Sequence, residues 1–266
     1  MRDIIIIGSG PAGLSAAITA ISRGKNVTVV SNAASGSGLF KAPVVDNYPG
    51  LPGISGAELS KRLRDHAAQM GVEIITGRVT SALKSKSGIG VAYGNDMCTG
   101  KALILAPGVI QTSVFPGEAE LLGRGVSYCA TCDGMLYRSK KVVVLSLSPE
   151  APKEAEYLRS IGCEVTELTT RNIIINGTSK LESITTDGTD ISCDAVFILR
   201  QSISPAALLP GLETENGHIK VAHGYATSVD GVFAAGDCIG APYQIAKAVG
   251  EGQLAAFSAI EFIENL

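Results

Sequence analysis

Ile4-Ile5-Ile6-Ile7-Gly8-Ser9-Gly10-Pro11-Ala12-Gly13 is the stretch whose reading decides the fold. Its four isoleucines form a β-branched run suited to a buried parallel strand. Leu14, Ala17, Ile18 and Ile21 then recur at helical spacing, Gly24 marks a helix stop, and residues 27–30 read as the second strand of a βαβ start. Between a strand and a helix, Gly-x-Gly-x-x-Gly is more than a glycine-rich structural turn. Gly8 permits the tight turn, Gly10 lets the backbone approach a pyrophosphate, and Gly13 lets helix and strand pack closely. Ser9, Pro11 and Ala12 complete the turn, and the helix N-terminus offers amide donors and a positive dipole to phosphates. After the second strand such folds often carry an acid for the ribose. Here Ser31-Asn32 stand in its place, weaker hydrogen-bonding groups, and the glycine-rich segment 35–38 ends at Gly38, whose backbone can wrap a ligand.

A chain of 266 residues can bury a large core and hold one or two domains. Hydrophobic residues make up 45%, charged residues 18%, and there are 31 glycines, which suits a compact α/β protein. The net charge of −3 favours neither nucleic acid nor an anionic membrane surface. No apolar run approaches the roughly 18–20 residues that span a bilayer, and the start of the chain is too short in apolar residues for a secretory signal. The expectation is a cytoplasmic protein with no nucleic-acid partner and no membrane association.

Farther along, a helix is expected from about Ser55-Gly56 to Gly71, with Leu59, Leu63, His66, Ala67 and Met70 on its apolar face. Short strands follow at 72–76, 81–83, 89–92 and 103–106, the last leading into Pro107-Gly108. A composition shift at 110–116 reads as a linker. Lys141–Leu147 opens a new βα pattern that ends with a strand at 195–199, before Pro205. Residues 227–235 are strand-like again, and 244–264 form a final helix. The expected organisation is one domain split into 1–112 and 202–266, with a second domain inserted at 113–201.

Six cysteines occur, and only Cys129 and Cys132 are close in sequence. In a cytosolic chain such a pair is redox-active or metal-binding rather than structural. A four-ligand zinc site needs a second pair, for which His218 and His223 offer the only suitable spacing; the expectation is no metal. Cys98, Cys163, Cys193 and Cys238 are expected to pack as small apolar groups. Cys129 and Cys132 straddle the expected start of a helix, where the dipole favours a thiolate. Asp133 is either the acid/base that moves the thiol proton or a helix cap.

Taken together, these residues resemble the low-molecular-weight thioredoxin reductases along most of the chain. The matching elements, in order and spacing, are residues 8–13, Asp46-Asn47-Tyr48-Pro49-Gly50, Cys129-Ala130-Thr131-Cys132-Asp133-Gly134, residues 231–237, and Gln244 at the start of the last helix. The resemblance implies an α/β fold of two Rossmann-like domains of the three-layer ββα type, the second inserted in the first and reduced. It implies FAD in the split domain, a redox disulfide between Cys129 and Cys132, and a homodimer. It puts Asn47 and the Ala106-Pro107-Gly108 turn at the flavin, Val79 near the adenine, Gly236 and Asp237 at the ribityl chain, and Gln244 and Ile245 at the flavin's pyrimidine edge. In the family's order Cys132 lies against the flavin, and Cys129 attacks the disulfide of thioredoxin through a mixed disulfide.

The inserted domain departs from that pattern. NADPH-using members carry a second Gly-x-Gly-x-x-Ala turn after the strand that is Lys141–Leu147 here. This chain reads Ser146-Leu147-Ser148-Pro149-Glu150-Ala151-Pro152, with no glycine between residues 142 and 161. Ser148 as N-cap and Pro149 as first residue still start a helix. Glu150, Glu154 and Glu156 then place carboxylates on its early turns, where a pyrophosphate would sit. Residues 164–170 hold two acids, and Arg171 is the only nearby base to read a 2′-phosphate.

Such a reduced insert resembles the ferredoxin-dependent flavin thioredoxin reductases, as does the ending from Pro242 to Gly252, where Tyr243 replaces the usual arginine. Tyr243 either covers the isoalloxazine or packs in the core. An acidic ferredoxin would need a basic surface, for which Arg138-Lys140-Lys141 and Lys61-Arg62-Arg64 are candidates or simply solvated charge. The favoured reading is a disulfide reductase using FAD, ferredoxin as donor and thioredoxin as acceptor. A dithiol oxidase or reductase of another protein, an NADPH-dependent reductase with a degenerate site, and a non-catalytic flavin binder remain as alternatives.

Overall fold

In the computed structural model the described residues are 1–32, 37–108, 115–148, 151–200 and 205–266, without the side chains of Cys132, Pro205 and Ala206. The linker expected at 110–116, half of segment 35–38, and Pro149 and Glu150 therefore lie largely or wholly outside them. The chain forms two compact units, Met1–Ile110 with Ser204–Leu266, and Gln111–Ile203.

The first unit begins with β1 (Arg2–Ile7), α1 (Pro11–Ser22) and β2 (Val27–Ser31). Helix α2 (Gly38–Lys41) and helix α3 (Gly56–Gln69) follow, then strands β3 (Glu73–Thr76), β4 (Val79–Ser85), β5 (Gly88–Tyr93) and β6 (Asp96–Leu105). Ile4, Ile5 and Ile6 are completely buried, which is why β1 is apolar on both faces: parallel neighbours flank it and helices cover it. It pairs with β2 on one side and with β6 on the other. α1 ends where Gly24 takes φ +73° and donates to the Ile21 carbonyl at 2.9 Å, a left-handed stop that favours glycine.

β6 is longer than its apolar end suggests. Its first half pairs antiparallel with β5, and its second half joins the parallel sheet. Only that second half is uniformly apolar, so the sequence pattern shows half of the strand. On α3, Leu59 and Ala67 are buried, whereas His66 is exposed, contrary to the expected apolar face.

The second unit holds α4 (Glu118–Leu121), β7 (Val126–Ser127), α5 (Ala130–Asp133), β8 (Lys141–Leu147), α6 (Ala151–Ser160), β9 (Glu164–Leu168), β10 (Ile173–Gly177), β11 (Leu181–Thr186), β12 (Thr189–Ser192) and β13 (Ala195–Arg200). Its parallel sheet runs β7-β13-β8-β9, beside a three-stranded antiparallel sheet β10-β11-β12. Strand alternation makes three layers. Val143, Leu145, Val196 and Ile198 face the antiparallel sheet, packing with Ile173, Ile175, Leu181 and Ile184. Val142, Val144, Ala195 and Phe197 point the other way, against Ala151, Ala155 and Leu158 of α6. The Ser148 hydroxyl, expected to cap α6, is buried with no hydrogen-bond partner among the described residues.

One carboxylate organises the edge of this unit. Glu118 is only 1% exposed and accepts from Arg200 Nη1 at 2.8 Å and Nη2 at 2.9 Å, from the Tyr128 hydroxyl at 2.7 Å, and from the Phe115 amide at 2.9 Å. Arg200 also lies over the Phe115 and Tyr128 rings. Burial and the hydrogen bond to Glu118 push the Tyr128 hydroxyl well above its ordinary range.

The chain returns to the first unit through α7 (Pro205–Leu208), β14 (Thr214–Glu215), β15 (His218–Ile219), β16 (Val232–Ala234) and α8 (Ile245–Glu264). The strand expected over 227–235 shrinks to β16, because the Thr227 amide and hydroxyl fold back onto the Val232 carbonyl at 2.9 and 3.0 Å. A small-residue stripe, Ala248, Gly252, Ala255, Ala256 and Ala259, lets α8 share a core with α1. A Cβ at Gly252 would fall 2.0 Å from the Ala12 carbonyl oxygen, whereas one at Gly250 meets nothing within 4 Å.

These two glycines make opposite predictions within one helix. Gly250→Ala should stabilise the fold by up to about 1 kcal/mol through helix propensity. Gly252→Ala should destabilise it by about 2 kcal/mol or more, because backbone must move to admit the methyl. Urea denaturation of both variants measures the difference.

Candidate functional site

In the first unit the site is built where β1, β2, β6 and β16 end. Gly8 has φ +108°, and a Cβ on it would lie 2.1 Å from the Ala106 carbonyl oxygen; one on Gly13 would lie 1.9 Å from the Gly8 carbonyl oxygen. At Gly10 the same test finds open space. The outer glycines are thus required by packing, and the middle one leaves the backbone accessible. α1 starts with Gly10 as N-cap and Pro11 behind it, with no acid in its first turn, so its amide end faces no carboxylate of its own.

Of the expected residues, Ala106 and Gly236 lie directly against this turn. Gly236, at φ +84°, approaches Ala12 so closely that a Cβ would sit 2.9 Å from the alanine methyl. Its amide donates to Glu251 at 2.9 Å, and Lys247 bonds both Glu251, at 3.1 Å, and the Gly240 carbonyl, at 2.8 Å. Asp237 follows at the start of a short 3-10 turn. Burial pushes its carboxyl up, against the pull of Lys247 and with a push from Glu251. Asn47 donates to the Gln244 side chain at 2.7 Å, next to Ile245 at the start of α8. Ala106 is buried, and Gly108 takes φ +80°. Gly38 opens α2, which Ser37 caps. Val79 begins β4, just beyond Gly77, whose amide donates to the Ser31 carbonyl at 2.9 Å.

Ser31, expected at a ribose, also bonds within the protein. Ser31 is tied into the protein: its hydroxyl accepts from the Ser9 amide at 3.1 Å and the Ser9 hydroxyl at 2.9 Å, and donates to the Asn32 carbonyl at 3.0 Å. Arg64 reaches from α3 to donate to the Ser9 hydroxyl at 2.6 Å. Arg64 stands on the helix stripe of Ser60, Leu63 and Ala67; a charge on such a stripe was the available signal. The other two cations of that cluster are paired within the helix, Lys61 with Asp65 at 2.6 Å and Arg62 with Glu58 at 2.8 Å. Tyr243 is not a core residue. It is 50% exposed, and its hydroxyl bonds His218 Nε2 at 2.9 Å.

In the second unit, Cys129 is disulfide-bonded and 6% exposed. Cys98, Cys163, Cys193 and Cys238 are free thiols. The side chain of Cys132 lies outside the described residues. Ser127 supports the motif: its hydroxyl donates to Asp133 at 2.7 Å and accepts from the Cys129 amide at 3.1 Å. Asp133 therefore accepts a hydrogen bond from the Ser127 hydroxyl, and among the described residues its side chain makes no cap hydrogen bond to the 3-10 turn that follows. The Cys129 sulfur lies 3.5 Å from the Thr131 hydroxyl. Gly134 closes the motif against α6, where a Cβ would press on Leu158 at 2.8 Å and Ile161 at 3.1 Å. From the first turn of α6, Glu154 accepts from the Ala130 amide at 3.2 Å.

A glycine-rich dinucleotide cradle in one unit and an oxidised Cys-x-x-Cys cysteine in the other define a flavin-type disulfide oxidoreductase. Residues 2–180 and 167–252 match the pyridine nucleotide-disulphide oxidoreductase family, and the chain belongs to that family. It is 32% identical over 300 residues to the thioredoxin reductase of Treponema pallidum, covering 99% of this chain and 98% of that one. A crystal structure of a ferredoxin–flavin thioredoxin reductase from Clostridium acetobutylicum superposes with a TM-score of 0.91 at 39% identity, covering 100% of this chain and 99% of that one. A thioredoxin reductase structure from Gloeobacter violaceus gives 0.79 at 30% identity, covering 99% and 95%. FAD is the cofactor of this family, and the chain is a flavin-dependent disulfide oxidoreductase. The cradle fits such a group: required glycines flank an open one, a helix start without acids adjoins them, and a carboxylate stands at Gly236-Asp237. Among the described residues no helix is long and apolar enough to cross a membrane.

A methyl at Gly10 meets no protein atom but enters the space over the turn. Gly10→Ala should therefore purify folded with FAD bound about tenfold more weakly or worse, read from flavin absorbance per protein. Burial raises all four thiols outside the motif, Cys193 and Cys238 up to about 12, which disfavours their reactive thiolates. The protein should react slowly with a thiol reagent before reduction. Dithiothreitol should add two fast-reacting thiols, and Cys129→Ser should abolish that increment.

Proposed function

We propose that this chain reduces the disulfide of thioredoxin with electrons from reduced ferredoxin, with FAD as its cofactor. The observation that carries the choice of donor is the start of α6. A nicotinamide dinucleotide would lay its pyrophosphate on a glycine turn there. Instead the segment after β8 has no glycine, and Glu154 occupies the first turn. The likeness to a ferredoxin–flavin thioredoxin reductase supports the same choice.

In this reading the first unit, as residues 1–112 and 202–266, is the FAD domain. The turn of Gly8, Ser9, Gly10, Pro11, Ala12 and Gly13 holds the pyrophosphate, with Ser31, Asn32, Gly38 and Val79 toward the adenosine. Asn47, Ala106, Gly108, Gly236, Asp237, Tyr243, Gln244 and Ile245 hold the flavin half. The second unit, 113–201, is a reduced nucleotide-like domain that carries the redox pair. When bound, FAD supplies a centre that takes up electrons singly and releases them in pairs. Cys129 and Cys132 form the disulfide that receives the pair.

After reduction, the Cys129 thiolate attacks a sulfur of the thioredoxin disulfide, forming a mixed disulfide and releasing one thioredoxin thiolate. Cys132 then attacks the Cys129 sulfur, re-forming the motif disulfide and releasing the second thiolate. Asp133, fixed by Ser127 at 2.7 Å, holds and moves the proton exchanged with the departing sulfur. The protein works in the cytoplasm as a homodimer. Arg138, Lys140 and Lys141, exposed after the motif, offer the cationic surface an acidic ferredoxin needs.

Anaerobic titration of the yellow protein tests the donor. Flavin absorbance should persist with stoichiometric NADPH or NADH and bleach with reduced ferredoxin, and Cys132→Ser should keep FAD but pass nothing to thioredoxin. Rapid bleaching by NADPH overturns the donor, and flavin reduction without thioredoxin reduction overturns the acceptor.

A further inference from the structure

Glu154 has a place in the site that the proposed reaction does not use. On α6 it belongs to the stripe Ala151, Glu154, Ala155, Leu158, whose other three members are completely buried. From that stripe it reaches the Ala130 amide, which belongs to the residue directly after the disulfide-bonded Cys129. Backbone amides at the start of a helix are the donors that stabilise a thiolate placed before it, which is how Cys-x-x-Cys motifs make the first cysteine reactive. Here the first such amide is already taken, and the group that takes it is an anion.

We propose that Glu154 is a positioning residue of the redox pair, which holds the Ala130 amide and by its charge keeps the reduced Cys129 sulfur biased toward the protonated thiol. The inference rests on Cys129 and Cys132 acting as one redox disulfide. Reduction breaks the S–S bond, adds two electrons, and leaves two sulfurs that take up protons according to their basicity. Disfavouring the thiolate disfavours the reduced form less when that form is protonated, and a pair whose thiolate is poorly stabilised has a more negative potential than one whose thiolate is strongly stabilised. Glu154 thereby makes the pair a stronger reductant of a partner disulfide, at the cost of a smaller thiolate fraction at neutral pH.

The elements packed against the motif helix carry Lys153, Glu154, Glu156, Tyr157 and Arg159 on α6 and Tyr137 on the 3-10 turn Gly134–Tyr137, with Asp133 on the motif itself; Glu156 and Arg159 pair with each other at 3.4 Å. Lys140 lies over the Tyr137 ring at 5.5 Å. Asp133 is engaged with Ser127, and Tyr128, one residue before the motif, with Glu118. Among the described residues only Glu154 brings a charge from another element onto the motif backbone.

Glu154→Gln keeps an oxygen for the Ala130 amide and removes the charge. The FAD-loaded proteins, reduced anaerobically with dithiothreitol and desalted, are alkylated with iodoacetamide across pH, and the labelled cysteines are identified by mass. The midpoint of the Cys129 rate profile should fall by about one pH unit in the variant. The equilibrium with dithiothreitol at pH 8 should shift toward the protein dithiol. Glu156→Gln, which removes an exposed carboxylate of the same helix paired with Arg159 at 3.4 Å, should change neither. Glu154→Ala should show the same lowered midpoint together with a lower Tm, and serves if the glutamine variant folds poorly. Coincident profiles and potentials for native and variant proteins overturn the role of Glu154 alone. If dithiothreitol releases no reactive pair at 129 and 132, the redox reading and this inference both fall.

Discussion

Three contacts between bare backbones set the geometry of the cofactor domain. Gly8 lies against the Ala106 carbonyl, Gly13 against the Gly8 carbonyl, and Gly252 against the Ala12 carbonyl, each at a spacing where a Cβ would come within about 2 Å of an oxygen. Together they fasten β1 to β6, the first helix to its own turn, and the last helix to the first. The functional turn is therefore not a loop laid over a finished scaffold. The contacts that close the core are also those that strip side chains from the turn, and Gly10 is left open because its neighbours are not. The start of α8, with Gln244 tied to Asn47, is brought to the same end of the sheet.

Much of this was legible because the first unit is built from sequence-local patterns. The isoleucine run, the helical spacing from Leu14 to Ile21 and the Gly24 stop each act over a few residues, and each element formed where its pattern lay. The failures have a common cause in pairings that an apolar count does not register. β6 extends to Asp96 because β5 pairs with its polar half, which no apolar count reveals. Residues 227–231 looked like strand, but the Thr227 side chain turns the chain back on Val232. Ser148 has the composition of a cap, yet among the described residues its hydroxyl bonds no amide, since a hydroxyl caps only when the backbone delivers it to the right amide.

Charges on buried helix stripes are the signal that was passed over in both units. Arg64 lies with Ser60, Leu63 and Ala67 and ends on Ser9; Glu154 lies with Ala151, Ala155 and Leu158 and ends on Ala130. Leaving a charge on an apolar stripe costs desolvation unless a partner waits at its end. Such a residue accordingly points to a partner on another element. Glu118 makes the same case more strongly. Four donors converge on its carboxylate, and they come from Phe115, Tyr128 and Arg200, near both ends of the second unit's chain and beside Cys129. A pair this buried adds little net stability, but removing either partner would strand a charge. Its effect is to fix the strand that leads into the motif.

The second unit has the layers of a dinucleotide-binding domain but no glycine turn after β8. β8 and β13 divide their side chains between α6 on one face and the antiparallel sheet on the other, so these layers form without a glycine turn. What changes is the start of α6. A helix start presents a limited set of free amides and one positive pole, and a pyrophosphate needs both without a competing anion. With side chains through residues 148–152 and a carboxylate in the first turn, that end is no longer suited to a phosphate. The carboxylate instead satisfies an amide of the neighbouring motif helix. In the proposed reaction, the layer that in a nucleotide-using domain orients a hydride donor holds and tunes the cysteine pair instead. Under the proposed protein donor, that role gives the domain a reason to persist without its glycine turn.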